Sequence, residues 1–168
     1  YTGFCMPDDT VRKGGTVTVL AEDMLTIIRE PQAVAPGLCR AKGTSFEDHA
    51  FFEAPSLRKR DDLYYFIYSS VYNHELCYAT GKSPFGPFTC QGVIIDNCDV
   101  GIDSYKPADL KIALHCNNHG SFTAIGDKWY MFYHRSTNGT QFSRQACAEE
   151  IHFDENGLIP QVEVSSCG

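Results

Sequence analysis

Several kinds of chemistry have no foothold in this sequence. No apolar run approaches the length needed to cross a bilayer. There is no Gly-rich phosphate loop and no G-x-S-x-G nucleophile elbow. Basic residues are scarce: 14 Lys and Arg stand against 21 Asp and Glu, a net charge of −7. That balance argues against nucleic acid or an anionic membrane as partner and favours a neutral or cationic ligand. None of the 8 cysteines has a partner at C-x-x-C spacing, and a chain this size does not need staples. Mostly free thiols are therefore expected. His74-Glu75 begins like a zincin helix, but position 78 is Tyr. Cys116 and His119 are three apart with no second ligand pair, which argues against a structural zinc site. The chain opens on Tyr1-Thr2-Gly3, without an initiator Met or signal peptide and in mid-motif, so it is expected to be cut from something longer.

What the chain has is aromatic residues, 12 % of the total, arranged in a repeat. At an offset of 65, EAPSLRKRDDLYYFIYSS (from Glu53) lies over NHGSFTAIGDKWYMFYHR (from Asn118). Ser56 meets Ser121, Asp62 meets Asp127, Tyr65 meets Tyr130 and Tyr68 meets Tyr133. Each copy reads as a strand, a tight turn and an aromatic strand. Tyr1-Thr2-Gly3 looks like the end of a third, broken copy. Further extended segments follow, at Leu76 to Thr80 and Gly92 to Asp96, then at Phe142 to Ala148 and Leu158 to Val164. Four antiparallel strands per unit, repeated, predict an all-β fold: part of a β-propeller.

The expected organisation is one incomplete propeller domain over 1–168, with the end of a blade in 1–30 and blades at 51–96 and 118–165. Thr16 to Leu20 and Asp23 to Ile28 are read as strands of the first blade, with Pro31 to His49 and Asn97 to Cys116 as crossovers. Asp154-Glu155-Asn156-Gly157 reads as a type I′ hairpin turn. The basic run Arg58-Lys59-Arg60 reads as a solvated hairpin tip.

In a propeller the innermost strands line a central channel, so departures from the repeat at their entrances are the functional candidates. Glu53 is one, a carboxyl among Phe51, Phe52 and Ala54-Pro55. Apolar neighbours disfavour its charged form, as a proton donor working near neutral pH requires. The competing reading is a solvated strand-end acid. His119 is the second: it could bind a metal, orient a water, or simply hydrogen-bond in the channel. Arg144 could pair with a carboxylate, donate to a sugar hydroxyl, or sit on an exposed face.

The stretches FFEAPSLRK, YYFIYSS, HELCYAT, SPFGPF, NNHGS, WYMFYHR, FSRQACAE and QVEVSSCG together resemble glycoside hydrolase family 43. The resemblance implies a five-bladed β-propeller of four-stranded antiparallel blades and inverting hydrolysis of arabinose- or xylose-containing plant polysaccharides or oligosaccharides. It implies Glu53 as the general acid, and His119 near the channel centre, linked to a calcium ion through waters. Arg144 and Phe52 become sugar contacts. The two further acidic residues of such a site are expected upstream of Tyr1. This chain would then supply the acid without the base, and either self-association or the missing segment would complete the propeller. The alternative is a non-catalytic carbohydrate-binding or structural fragment.

Overall fold

The computed structural model describes residues 1–3, 14–72, 74–99 and 117–165. Among the described residues, nine strands form three antiparallel sheets. The first pairs β1 (Gly14–Leu20) with β2 (Ile27–Pro36). Thr2 adds an antiparallel bridge to Thr16, so the Tyr1-Thr2-Gly3 fragment lies beside β1 as a broken neighbouring strand. The second is a meander of β3 (Phe51–Arg60), β4 (Leu63–Ser70), β5 (Glu75–Gly81) and β6 (Thr89–Asp96). The third joins β7 (Gly120–Ile125), β8 (Lys128–Thr137) and β9 (Thr140–Ile151). A short helix, α1 (Leu38–Ala41), lies between the first two sheets in sequence.

The second sheet is buried on both faces, which explains the unbroken apolar run of β4. Alternate side chains point opposite ways. Tyr65 and Ile67 enter a core shared with the third sheet, with Phe122, Met131, Tyr133 and Ile151. Phe66 and Tyr68 enter a core facing the first, with Ala35, Phe51 and Phe88. Tyr65 meets the Phe122 ring edge-on at 5.3 Å, a geometry that adds about 0.5–1.5 kcal/mol to area burial.

The inner strands of neighbouring sheets touch through the repeat itself. Ser56 and Ser121, equivalent residues of the two copies, share a hydrogen bond of 2.8 Å. Arg58 Nε donates to the Phe122 carbonyl at 3.0 Å. Arg58, Lys59 and Arg60 all lie within β3 and the turn falls at Asp61-Asp62, so the tip reading of the basic run fails, and Arg58 ties two sheets together.

Three other expectations are corrected. β2 runs to Pro36, through much of the stretch read as crossover. The third sheet has three strands, because residues 152–165 form none. They lie against the second sheet instead: Ile159 N–H donates to the Tyr78 hydroxyl, Val162 N–H to the Ile94 carbonyl and Val164 N–H to the Asp99 carboxylate, each at 2.8 Å. The type I′ Asn-Gly turn is Asn138-Gly139, with φ of 54° and 66°, joining β8 to β9. At Asn156-Gly157 only the glycine has positive φ, and the Asp154 carboxylate caps the turn by accepting from the Asn156 and Leu158 N–H groups. Cys77, Cys90 and Cys147 are free thiols. Cys5, Cys116 and Cys167, and most of the second crossover, lie outside the described residues.

Candidate active site

Glu53 sits where β3 is least regular. Its Cα pairs with Ser69, while Phe51 pairs with Ser70 and Ser56 with Ile67, so a register shift flanks it on each side. Ala54 takes φ of 57°, a conformation that costs a non-glycine residue about 1–3 kcal/mol and is concentrated at functional sites. Pro55, which has no N–H to give a ladder, falls in the second irregularity, where proline is tolerated. Bulges of this kind re-aim a side chain.

The Glu53 side chain is 16 % exposed, and its Oε1 accepts two hydrogen bonds. Asn117 Nδ2 lies at 2.8 Å and His119 Nε2 at 2.9 Å, both just before β7. Oε2 has no hydrogen-bond partner among the described residues. Gly120 permits this approach: a Cβ there would stand 2.4 Å from the Phe132 carbonyl oxygen and 2.7 Å from Leu76 Cδ2. Any larger residue would push the His119 segment away from the second sheet. Asn118 turns inward instead, fully buried, and donates to the carbonyls of His74 and Ile95 at 3.3 and 3.5 Å.

A second imidazole completes the cluster. The His119 and His134 rings meet edge-on at 5.2 Å, and Arg144 Nη1 lies 3.3 Å from His134 Nε2. Burial, then the Arg144 guanidinium and then His119 hold His134 down at about 4, against a smaller upward pull from Glu53. The ring is thus neutral near pH 7. Glu53, His119, His134 and Arg144 form a continuous polar line from β3 across to β9. Ser69 Oγ and His134 Nδ1 are buried with no hydrogen-bond partner among the described residues.

Of the residues read from the sequence, Glu53 and His119 are in direct contact, and Arg144 reaches them through His134. Phe52 is 8 % exposed and largely withdrawn from solvent. His119 belongs to neither group of three metal-ligating side chains found among the described residues. Asn117 and His134 escape the sequence reading, although each departs from the repeat: at an offset of 65, Asn117 stands over Phe52 and His134 over Ser69.

Comparison with known proteins converges on one group. The model of glycosyl hydrolases family 43 matches residues 5–159. A xylosidase/arabinosidase of Thermoclostridium stercorarium is 57 % identical over 168 residues, all of this chain and 36 % of that protein. A xylosidase/arabinosidase of Bacteroides ovatus is 33 % identical over 153 residues, 88 % of this chain and 42 % of the relative. Among solved structures, a family 43 β-xylosidase/α-arabinofuranosidase from a compost metagenome, in complex with xylotriose in a calcium-free form, superposes with a TM-score of 0.70. It is 28 % identical, and the match covers 92 % of this chain and 44 % of that one. The solved relatives are five-bladed β-propellers, of which this chain covers a part. It spans 36–44 % of the length of the relatives named here. The sequence, the sheets and these matches agree: the chain belongs to glycosyl hydrolases family 43.

Proposed function

We propose that the protein of which this chain is part hydrolyses arabinose- or xylose-containing plant polysaccharides or oligosaccharides such as xylan fragments, with inversion, and that Glu53 is its general acid. The observation that carries this reading is the asymmetry of the Glu53 carboxyl. Oε1 is held by Asn117 and His119, so Oε2 is the atom left to carry a proton. In the reaction that proton passes to the glycosidic oxygen as its bond to the sugar carbon breaks. A water attacks the opposite face and gives its own proton to a base. Such a base stands roughly 6.5–9.5 Å from the acid. No second carboxylate is hydrogen-bonded into the Glu53 cluster among the described residues, and the base is assigned to a part of the longer protein outside this chain.

His119 and Asn117 are positioning residues, fixing the direction in which Oε2 points. Arg144 is assigned to a sugar contact, and Phe52 to a lesser one, through the 8 % of its surface that stays exposed. Calcium, suggested by the calcium-free form of one relative, is tested by the donors near His119. They are one carboxylate, one imidazole and one amide, against the six to eight oxygens of a calcium shell. They fit an ion held chiefly by waters, with the His119 ring as an outer hydrogen-bond partner, and such an ion would supply positive charge near the sugar.

The test uses the longer protein and leaving groups of graded acidity. Glu53→Ala should lower the rate on unactivated xylo-oligosaccharides by about 10²–10⁴-fold, while aryl glycosides with acidic leaving groups keep most of theirs. Equal loss on both substrates overturns the acid assignment. The 168-residue chain alone should bind xylo- or arabino-oligosaccharides by calorimetry without turning them over. Turnover by the chain alone would place the base within it.

A further inference from the structure

A second set of reactive side chains lies at the core that faces the first sheet, to which Cys77 belongs, and the glycosidase reading does not use it. His49 ends the segment leading into β3, and Glu75 and Cys77 stand two apart on β5, on one face of the strand. Glu75 Oε2 is the hub: it lies 2.9 Å from His49 Nδ1 and 3.7 Å from Cys77 Sγ, and the three donor atoms are all within 4.8 Å of one another.

We propose that His49, Glu75 and Cys77 form a binding site for zinc or a similarly thiophilic divalent cation. Geometry supports this. In a tetrahedral zinc shell, ligands at about 2.0 Å for nitrogen and oxygen and about 2.3 Å for sulfur stand about 3.3 Å (N to O) and about 3.5 Å (O to S) apart. The His49–Glu75 and Glu75–Cys77 separations differ from these by a few tenths of an ångström, and His49 Nδ1 and Cys77 Sγ lie within 4.8 Å of one another, so a movement of the His49 ring toward Cys77 admits the ion. The donor mixture selects the metal: a thiolate with an imidazole suits zinc, whereas calcium and magnesium want oxygens alone.

The outer partners are in place as well. Ser70 Oγ donates to Glu75 Oε2 at 2.7 Å, which anchors the carboxylate, and the Tyr68 hydroxyl donates to the His49 backbone carbonyl at 2.7 Å, which holds the main chain that carries the imidazole. Partners of that kind orient metal ligands. The His49 side chain is 27 % exposed and gives the ion a way in. Three protein ligands leave a fourth position for water. The bound ion would tie the segment just before Glu53 to β5.

The experiment titrates the reduced, chelator-treated chain with Co²⁺ and then with Zn²⁺. One equivalent of cobalt should give a thiolate-to-metal charge-transfer band and the visible bands of tetrahedral cobalt, and zinc should abolish both. Cys77→Ser should remove the charge-transfer band, and both it and His49→Gln should weaken zinc binding by more than about tenfold, as loss of even an outer partner can. Cys98→Ser and Cys39→Ser should leave the band intact. A missing band in the unmutated chain, or one that survives in Cys77→Ser, overturns the proposal. If Cys77→Ser fails to fold by circular dichroism, unchanged zinc affinity in His49→Gln overturns it.

Discussion

His134 joins His119 to Arg144 in the polar line that starts at Glu53. Its ring leans on His119, its Nε2 faces Arg144, and burial with those neighbours keeps it neutral down to about 4. The sign of the consequence follows from linkage. The folded state holds this proton less readily than an ordinary histidine, so the unfolded chain binds more protons between about pH 6.5 and 4. The stability contributed by the neutral ring is fully present above about pH 6.5 and is lost as pH falls toward 4. NMR titration should show the His134 signals moving near pH 4. Thermal midpoints of His134→Gln should fall less between pH 6.5 and 4 than those of the unmutated chain. A His134 titrating near 6.5 would refute this. The same residue marks what could be read from the sequence at this scale. Glu53 and His119 stand out because they depart from the repeat at strand entrances, and Arg144 because its charge interrupts a strand of short or apolar residues. His134 departs from the repeat just as plainly, but inside WYMFYHR it reads as one more packing residue. That it faces Glu53 across two sheets is a matter of register, which a linear sequence does not display.

At the scale of strands, the contact between β3 and β7 sets the site, since it brings Asn117 and His119 against Glu53. The Ser56–Ser121 hydrogen bond is the point where the two copies of the repeat meet. A double-mutant cycle of Ser56→Ala and Ser121→Ala should give a coupling of about 0.5–1.5 kcal/mol by denaturant unfolding, the net worth of a partly buried hydrogen bond. A coupling of zero would mean that the sheets are registered by the Arg58–Phe122 contact and core packing alone. The paired strands β3–β4 and β7–β8 are legible in the sequence because aromatic runs and two-residue turns recur at one spacing. Elsewhere local signals mislead. Pro31 and Pro36 argue for a loop, yet β2 is an edge strand, where proline is tolerated. Leu158 to Val164 has the apolar character of a strand, but its N–H groups find partners in the preceding sheet, and Pro160 has none to give. Of two Asn-Gly pairs, the one at 138–139 makes the hairpin because strands flank it on both sides, a property of the whole sheet rather than of the dipeptide.

At the scale of the molecule, two opposed effects decide how the chain behaves in solution. Apolar side chains are exposed around the β1–β2 turn, with Leu25 at 83 % and Ile28 at 63 %, and on β9, where Phe142 is 87 % exposed. β2 and β9 are edge strands of 10 and 12 residues, and edges of that length offer unpaired N–H and C=O groups to another chain. Against this stands the net charge of −7, which repels like copies. The two act over different ranges. Repulsion between chains is screened beyond a Debye length, about 8 Å at physiological ionic strength, whereas apolar contact and strand pairing act at touching distance and persist in salt. Added salt should therefore promote self-association rather than dissolve it. Sedimentation velocity of the chain should show a weight-average mass that rises with protein concentration and rises further with salt. Phe142→Glu, which puts a charge on the β9 edge, should lower it at every salt concentration. A mass fixed at that of one chain across both series would mean that the charges already carried by the edges, Arg29 and Glu30 on β2 and Glu149 and Glu150 on β9, suffice to keep copies apart.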